Sequence, residues 1–452
     1  MSDHPQSRPA WRGVALRHDD VVDPGDLGHR RDDPVGTRVA FLTQCFHPEP
    51  AAIPLGITRS LRAHGMRVQV LTGIPNYPTG KIRQGYSAWR RTSERHDDLH
   101  VLRTPLYPSH DRSAAGRAIN YVSWAASSTF LGRSVRRHAD VALVYGSPIT
   151  AATSAIAARL RRRMPYVLMV MDLWPDSVFA TGFLTGGVKR RIAESALTRL
   201  TNLAYRFADH VTVPAPGIRD AIVARGVRPD KVTVVYNWTD EKVMQPTAPD
   251  PLFRTRLGLA PDDFVLMYAG NLGSAQRLDV VVEAMARLSD VPHVHLVLIG
   301  DGVERQNLRD QAERLGLARV HLVDPVVPQV LPAILAAADL HLVSLADDPL
   351  FRITLPSKLQ ALLACGQPIL VCAPGDAARI VTEAGAGFTA PPEDPVRLAE
   401  VLRQGLQTPR PQLRAMGRAG HDYYHLHMSE AANTRLLADV ITTAANRVRR
   451  TR

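Results

Sequence analysis

Cysteine is nearly missing from this 452-residue chain: three residues, at 45, 365 and 372, with no metal-ligand spacing among them. Three scattered thiols make no disulfide framework and fit a reducing cytoplasm. Long hydrophobic runs are missing too, since no stretch approaches the roughly 18 uncharged apolar residues that span a bilayer. The opening segment, residues 1–36, has no apolar signal-peptide core; it is rich in Pro, Gly and Asp and reads as disordered. Aromatics make up 6% and are not interleaved with basic residues as in RNA-binding motifs, so no nucleic acid partner is expected. Lysine is scarce as well, and beyond Lys242 the chain carries one, Lys358.

What is present is the composition of a soluble globular protein, 45% hydrophobic and 22% charged, with room for two domains. Charge is unevenly divided. Residues 1–240 hold 33 Lys+Arg against 20 Asp+Glu, whereas residues 241–452 hold 22 against 23. The excess sits in clusters such as "RLRRR" (159–163) and "KRR" (189–191). Two readings are compatible with it. One is an anionic partner for the first half: nucleic acid, anionic lipid or a phosphate-bearing substrate. The other is a solvated arginine-rich surface.

Two series of short, continuous, β-branched runs alternate with helical segments. The first comprises "RVAFLT" (38–43), "RVQVLT" (67–72), "LHVLRT" (99–104), "DVALVY" (140–145), "YVLMVM" (166–171), "HVTVPA" (210–215) and "VTVVYN" (232–237). The second comprises "FVLMYAG" (264–270), "HVHLVLIG" (293–300), "VHLVD" (320–324), "DLHLVS" (339–344) and "PILVCA" (368–373). Runs of this kind suit strands covered on both faces of a parallel sheet. Glycines in "RAHGMRV" and "ERLGLARV" stand where a left-handed residue stops a helix. The expected fold is α/β: two tandem Rossmann-like, doubly wound parallel-sheet domains facing a cleft, at 37–240 and 241–430. A helix or tail follows at 431–452. The join falls between Asn237 and Asp263, rich in Pro and Asp. Ligands of such sheets bind at the C-terminal ends of strands.

Three turns of the second domain could hold an anion. In "YAGNLGSAQRLD", Gly270 and Gly273 would bring backbone amides near a phosphate, although glycine turns follow strands in any α/β protein. In "LIGDGVERQ", Asp301 and Gly302 read either as cleft lining or as a tight turn. In "LPSKLQALLACGQPIL", Pro356 stiffens the approach, Ser357 can cap the helix and Lys358 adds a positive charge at its amino end. A lysine there opposes the helix macrodipole, a conflict that a bound anion relieves. The turn "DPVVP", with Val326, offers backbone groups to a base. In the first domain, His47 and Glu49 ("FHPEPAA") and Asn76 and Tyr77 ("GIPNYPTG") follow the first two strands. Asp172 closes "YVLMVMD", where a carboxylate after an apolar strand needs a partner.

The order G-N-L-G, G-D-G, P-S-K-L and A-C-G-Q-P-I resembles the C-terminal domain of GT-B glycosyltransferases of family 4. Within that family the chain is most similar to bacterial enzymes of the fucosamine-transferase type, which build surface polysaccharides and lipid-linked oligosaccharides. "FHPEPAAIPLGITRSLRAHGMRVQVLTGIPNYPTGKIRQGY" and "MDLWPDSVFATG" (171–182) extend the resemblance to residues 37–430. It implies a metal-independent, cofactor-free enzyme that transfers a sugar with retention from a nucleoside-diphosphate sugar, with UDP the expected nucleotide. It further implies an N-acetylated hexosamine or deoxyhexosamine donor and a polyprenyl-diphosphate-linked acceptor. Donor contacts would fall on Gly270, Asn271, Gly273, Gln276, Arg277, Asp301, Gly302, Val326, Pro356, Ser357 and Lys358. Acceptor contacts would fall on Asn76 and Tyr77, and catalytic roles on Asp172, His47 and Glu49. The chain departs from the family pattern at four positions: Asn271 and Gln276 replace an Arg and a Lys, and Ile353 and Ala361 replace paired glutamates. Lys358 is then the main expected cation on the donor phosphates, aided by Arg277 or Arg352.

The segments 184–207 and 120–138 have amphipathic spacing, and peripheral contact with an anionic inner membrane leaflet is an expectation. Two other functions remain open at this stage: a UDP-sugar 2-epimerase of the same fold, and a non-catalytic nucleotide-sugar or nucleic-acid binding protein.

Overall fold

The computed structural model describes residues 36–109, 114–180 and 187–449. The expected disorder of the opening segment, the last two residues of the 171–182 motif and the start of the 184–207 segment lie outside them.

The first sheet has 8 strands in the order β3-β4-β2-β1-β5-β6-β7-β8. They are β1 (Arg38–Leu42), β2 (Arg67–Gly73), β3 (Thr92–His96), β4 (Leu99–Thr104), β5 (Val141–Tyr145), β6 (Tyr166–Met169), β7 (His210–Val213) and β8 (Val232–Val234). All neighbours are parallel except β3 and β4. The second sheet has 6 parallel strands in the order β11-β10-β9-β12-β13-β14. They are β9 (Phe264–Ala269), β10 (Val294–Ile299), β11 (Val320–Val323), β12 (Leu340–Ser344), β13 (Ile369–Cys372) and β14 (Gly387–Ala390).

Side chains alternate across a strand, so a run buried on both faces must be apolar throughout. In β1, Ala40 and Leu42 enter one core of the first lobe while Val39 and Phe41 enter the other. In β9, Leu266 and Tyr268 divide from Val265 and Met267 in the same way. The two strands absent from the sequence reading, β3 and β14, are sheet edges with the sequences TSERH and GFTA. TSERH is polar throughout, and GFTA is short, opens on glycine and turns Thr389 outward, so neither offers a continuous apolar run, unlike the other two edges, β8 and β11. Gly65 and Gly316 follow their helices at φ +77° and +65°, the left-handed stop that the spacing suggested.

The chain crosses between lobes twice. It leaves the first sheet after β8 and returns through a π turn, Tyr424–Met428, into the helix Glu430–Arg449. The crossings are bonded to each other. Thr239 donates its backbone N–H to the Tyr424 hydroxyl at 3.1 Å, and Glu430 donates its own to the Glu241 carboxylate at 2.7 Å. The returning helix lays Leu437, Ile441, Ala444 and Ala445 against Phe41, Leu143 and Val167 of the first sheet. The last helix of the chain therefore completes the core of the first lobe. A second inter-lobe contact joins the Gly217 amide to the Asp376 carboxylate at 2.6 Å.

Ile441 is fully buried in that core. Ile441→Ala is expected to destabilise the first lobe by about 2–5 kcal/mol, the usual range for emptying such a site. Urea denaturation followed by tryptophan fluorescence checks it; an unshifted transition would mean the helix does not support this lobe.

Candidate active site

At the C-terminal ends of β9 and β12 lies a cavity of about 450 Å³. Its mouth is formed by Gly270 and Asn271 on one side and Pro356, Ser357 and Lys358 on the other. The helix Ser357–Ala364 starts there, and no side chain caps its amino end. Pro356 occupies the capping position, so the expectation that Ser357 caps is corrected: Ser357 is the first helical residue. A prolyl ring has no acceptor for the first-turn amides, and the amino end keeps its partial positive charge toward the cavity.

Lys358 sits with its Nζ 3.1 Å from the centroid of the Tyr268 ring, a cation–π contact. The residue as a whole is half-buried, but its ammonium is enclosed, and burial pushes it well below the ordinary lysine range. Among the described residues no carboxylate pairs with it. The two arginines expected to aid it are committed elsewhere: Arg277 to Asp279 at 3.0 Å and Glu393 at 2.7 Å, and Arg352 to Asp347 at 2.6 Å. Neither arginine lines the cavity. A β-carbon on Gly270, whose φ is +147°, would stand 3.1 Å from Lys358 Cε and 3.2 Å from Nζ. Glycine at 270 is what gives the lysine its room.

The remaining second-lobe candidates divide. Gln276 accepts the Gly273 amide at 3.1 Å and shapes the loop, while also lining the cavity. Asn271 presents its backbone carbonyl to the Tyr268 hydroxyl at 2.7 Å. Asp301 accepts the Gly302 amide at 2.8 Å in the adjoining turn, and Val326 packs against the core; neither is in the cavity wall. Of the two positions where the resemblance leads to glutamates, Ala361 lines the cavity and Ile353 packs against Gly217 of the first lobe. Sequence reasoning missed Tyr268, which lies within the strand run, and His341 on β12. His341 lines the same cavity, with Nε2 buried and unpartnered and its pKa pushed down to about 4 by burial. Neither position carried a local signal beyond its strand.

A second cavity, about 490 Å³, lies at the C-terminal ends of β1, β2 and β5. Asn76 and Tyr77 line it, together with Gln44, Asn120, Tyr121, Tyr145 and Trp174. Glu49 does not. The residue is 6% exposed, and its carboxylate accepts three backbone amides, Phe46 at 3.1 Å, Asn76 at 2.9 Å and Tyr77 at 2.8 Å. That clamp ties the loop after β1 to the loop after β2. Burial raises its pKa and the three bonds oppose the rise. His47 stacks on His96 with ring centroids 3.9 Å apart, and burial lowers its pKa. Asp172 is exposed, not desolvated as the strand pattern suggested, because β6 ends at Met169. Its partner is Ser147, whose hydroxyl donates at 2.8 Å.

A lysine whose folded pKa is depressed binds fewer protons folded than unfolded between the two values, so stability rises with pH across that window. Lys358→Met is therefore expected to melt higher than the parent protein at neutral pH. The difference should shrink as pH approaches about 10, near the unfolded lysine value. Differential scanning fluorimetry from pH 6 to about 10 reads this; a variant less stable at every pH would contradict the desolvated charge.

The comparisons agree with this two-domain fold. Residues 50–238 match the model of the glycosyl transferase 4-like domain, and residues 250–422 that of glycosyl transferases group 1. A protein of Escherichia coli (strain K12) named as a colanic acid biosynthesis glycosyl transferase, WcaI, is 28% identical over 77% of this chain and 86% of its own length. WbjE of Pseudomonas aeruginosa, named as a glycosyltransferase, is 27% identical over 59% of this chain and 66% of its own. Among solved structures, Anabaena Alr3699/HepE in complex with UDP and glucose superposes with a TM-score of 0.61 at 19% identity, covering 90% of this chain and 99% of that one. WaaG, a glycosyltransferase involved in lipopolysaccharide biosynthesis, gives 0.56 at 18% identity over 89% and 99%. The chain belongs to the GT-B glycosyltransferases built from a glycosyl transferase 4-like domain and a group 1 domain.

Proposed function

We propose that this protein transfers a sugar from a nucleoside-diphosphate sugar to a hydroxyl of a lipid-linked glycan in surface-polysaccharide synthesis. The observation that carries the reading is Lys358: an enclosed ammonium without a carboxylate partner, beside an uncapped helix amino end, facing a cavity. A diphosphate supplies the missing negative charge. The crystallised neighbours holding UDP, UDP with glucose and UDP-glucose support UDP as the nucleotide. The colanic acid relative supports the glycan class.

In the transfer, the bond from the anomeric carbon to the diphosphate oxygen breaks and a bond to the acceptor oxygen forms on the same face. The acceptor proton passes to the departing diphosphate. Lys358 and the amides of the helix start stabilise the charge that grows on that leaving group, and the first lobe orients the acceptor. No protein nucleophile is required. An epimerase would need paired acid and base carboxylates, and Glu49 is bound by three amides.

A membrane surface fits the first lobe. Three neighbouring helices, Ala114–Leu131, Ala152–Arg162 and Val188–Phe207, expose Val122, Phe130, Leu160 and Ile192, and Arg161, Arg191 and Arg199 are exposed on the last two of them. Apolar side chains with arginines around them suit an anionic leaflet. Among the described residues no helix is long and apolar enough to cross a membrane.

A thermal-shift screen with UDP, GDP, ADP and CMP should select UDP. Lys358→Ala should weaken its binding roughly tenfold or more, while Lys242→Ala leaves it unchanged. Equal effects would place the diphosphate elsewhere. In flotation assays at low salt, the protein should rise with vesicles containing anionic lipid and stay behind with neutral ones; indifference to lipid charge would remove the membrane reading.

A further inference from the structure

The return crossing carries side chains that neither cavity uses. The sequence "HDYYHLH" (421–427) sets three histidines across the end of the helix Arg410–Tyr423 and the π turn Tyr424–Met428. His421 and His425 are four residues apart, the spacing that makes two side chains neighbours on one helical face. Their Nε2 atoms stand 3.0 Å apart, and the rings meet edge-on, with centroids at 4.4 Å and planes at 67°. His427 is engaged differently, its ring against Tyr423 with centroids at 4.5 Å. Neither His421 nor His425 lines either of the cavities described above.

A neutral imidazole carries one hydrogen, so two rings can bond to each other through Nε2 only with one of them donating. A second arrangement is open to the same atoms. With both hydrogens on Nδ1, two lone pairs converge on one point. The Asp422 carboxylate lies 3.9 Å from His421 Nδ1 and favours hydrogen on that side of the ring. Metal–imidazole bonds of about 2.0–2.1 Å meeting at about 95° reproduce the observed 3.0 Å separation, so an ion fits the pair without moving either residue. An angle near 90° suits tetragonal and octahedral ions. Among the described residues no group of three or more His, Cys, Asp or Glu is placed to hold a metal, so the other ligands of such an ion are water. Water has access, because His425 is exposed and the His421 side chain is 27% exposed.

We propose that His421 and His425 chelate a divalent transition-metal ion, of the class to which Ni²⁺ and Cu²⁺ belong, at the joint between the lobes. Tyr424 lies between the two ligands in sequence. Its hydroxyl receives the Thr239 amide at 3.1 Å and donates to Glu241 at 3.0 Å, tying the outgoing crossing to the returning one. A chelate over residues 421–425 fastens the last turn of the second-lobe helix to the turn that leads back to the first lobe. The ion braces this joint and stands apart from the sugar chemistry proposed above.

The test uses the full chain without an affinity tag. Equilibrium dialysis against micromolar Ni²⁺, with bound metal counted by atomic absorption, compares the parent with His421→Gln, His425→Gln and His427→Gln. The first two variants should each lose about one equivalent of metal, and His427→Gln should match the parent. Differential scanning fluorimetry reads the brace: Ni²⁺ should raise the melting temperature of the parent and of His427→Gln and leave the other two unmoved. Mg²⁺, which prefers oxygen ligands, should move none of them. Melting transitions recorded without metal establish that every variant folds. Equal Ni²⁺ binding by all four proteins, or a loss in His427→Gln as large as in the other two, would overturn the chelate. Metal lost from the two variants with no melting shift in the parent would overturn the brace.

Discussion

The Lys358 amine, resting on an aromatic ring beside an uncapped helix start, sets the chemistry of the second-lobe cavity. Lys358 is enclosed, rests on the Tyr268 face and has no carboxylate within pairing distance among the described residues. An isolated desolvated ammonium is unfavourable, and so is a lysine in the first turn of a helix. Both penalties vanish together if an anion occupies the cavity. The surroundings are arranged to keep the charge there: glycine at 270 leaves space for it, and Pro356 denies the helix a cap. Arg277 and Arg352, the other cations expected at the donor, are paired with Asp279, Glu393 and Asp347 outside the cavity wall.

The first lobe is organised on the opposite principle. Among the described residues lining its cavity there is no charged side chain, and the carboxylate closest to it in sequence, Glu49, is consumed in holding two loops together. A pocket with a lysine in one lobe and one without charged lining in the other suit the two halves of the transfer proposed above, a leaving group on which charge develops and a nucleophile that must be oriented. The returning helix and the Gly217–Asp376 contact hold these two surfaces on one body.

Arginine serves two ends here. In the second lobe most arginines are structural: Arg254 and Arg410 both reach Asp339, at 2.7 and 2.8 Å, and Arg403 reaches Asp290 at 2.7 Å. In the first lobe several stand on exposed helix faces beside apolar residues.

The sequence by itself determined the layered architecture, because strands buried on both faces must be apolar at every position, and twelve such runs are legible. It also determined the prominence of Lys358, through the conflict between a cation and a helix start. Strands β3 and β14 escaped because one is polar throughout and the other opens on glycine and carries an exposed threonine, so neither shows an apolar run. Only the tertiary structure decided the rest. Whether Glu49 was a base or a clamp depended on amides 27 and 28 positions away, and whether Asp172 was buried depended on where β6 stopped. Gln44, Asn120 and Asn76 meet across separations of 76 and 44 residues, and no local pattern records such a meeting. The same holds for the last helix, which is amphipathic in sequence but whose partner, the first sheet, lies hundreds of residues back along the chain.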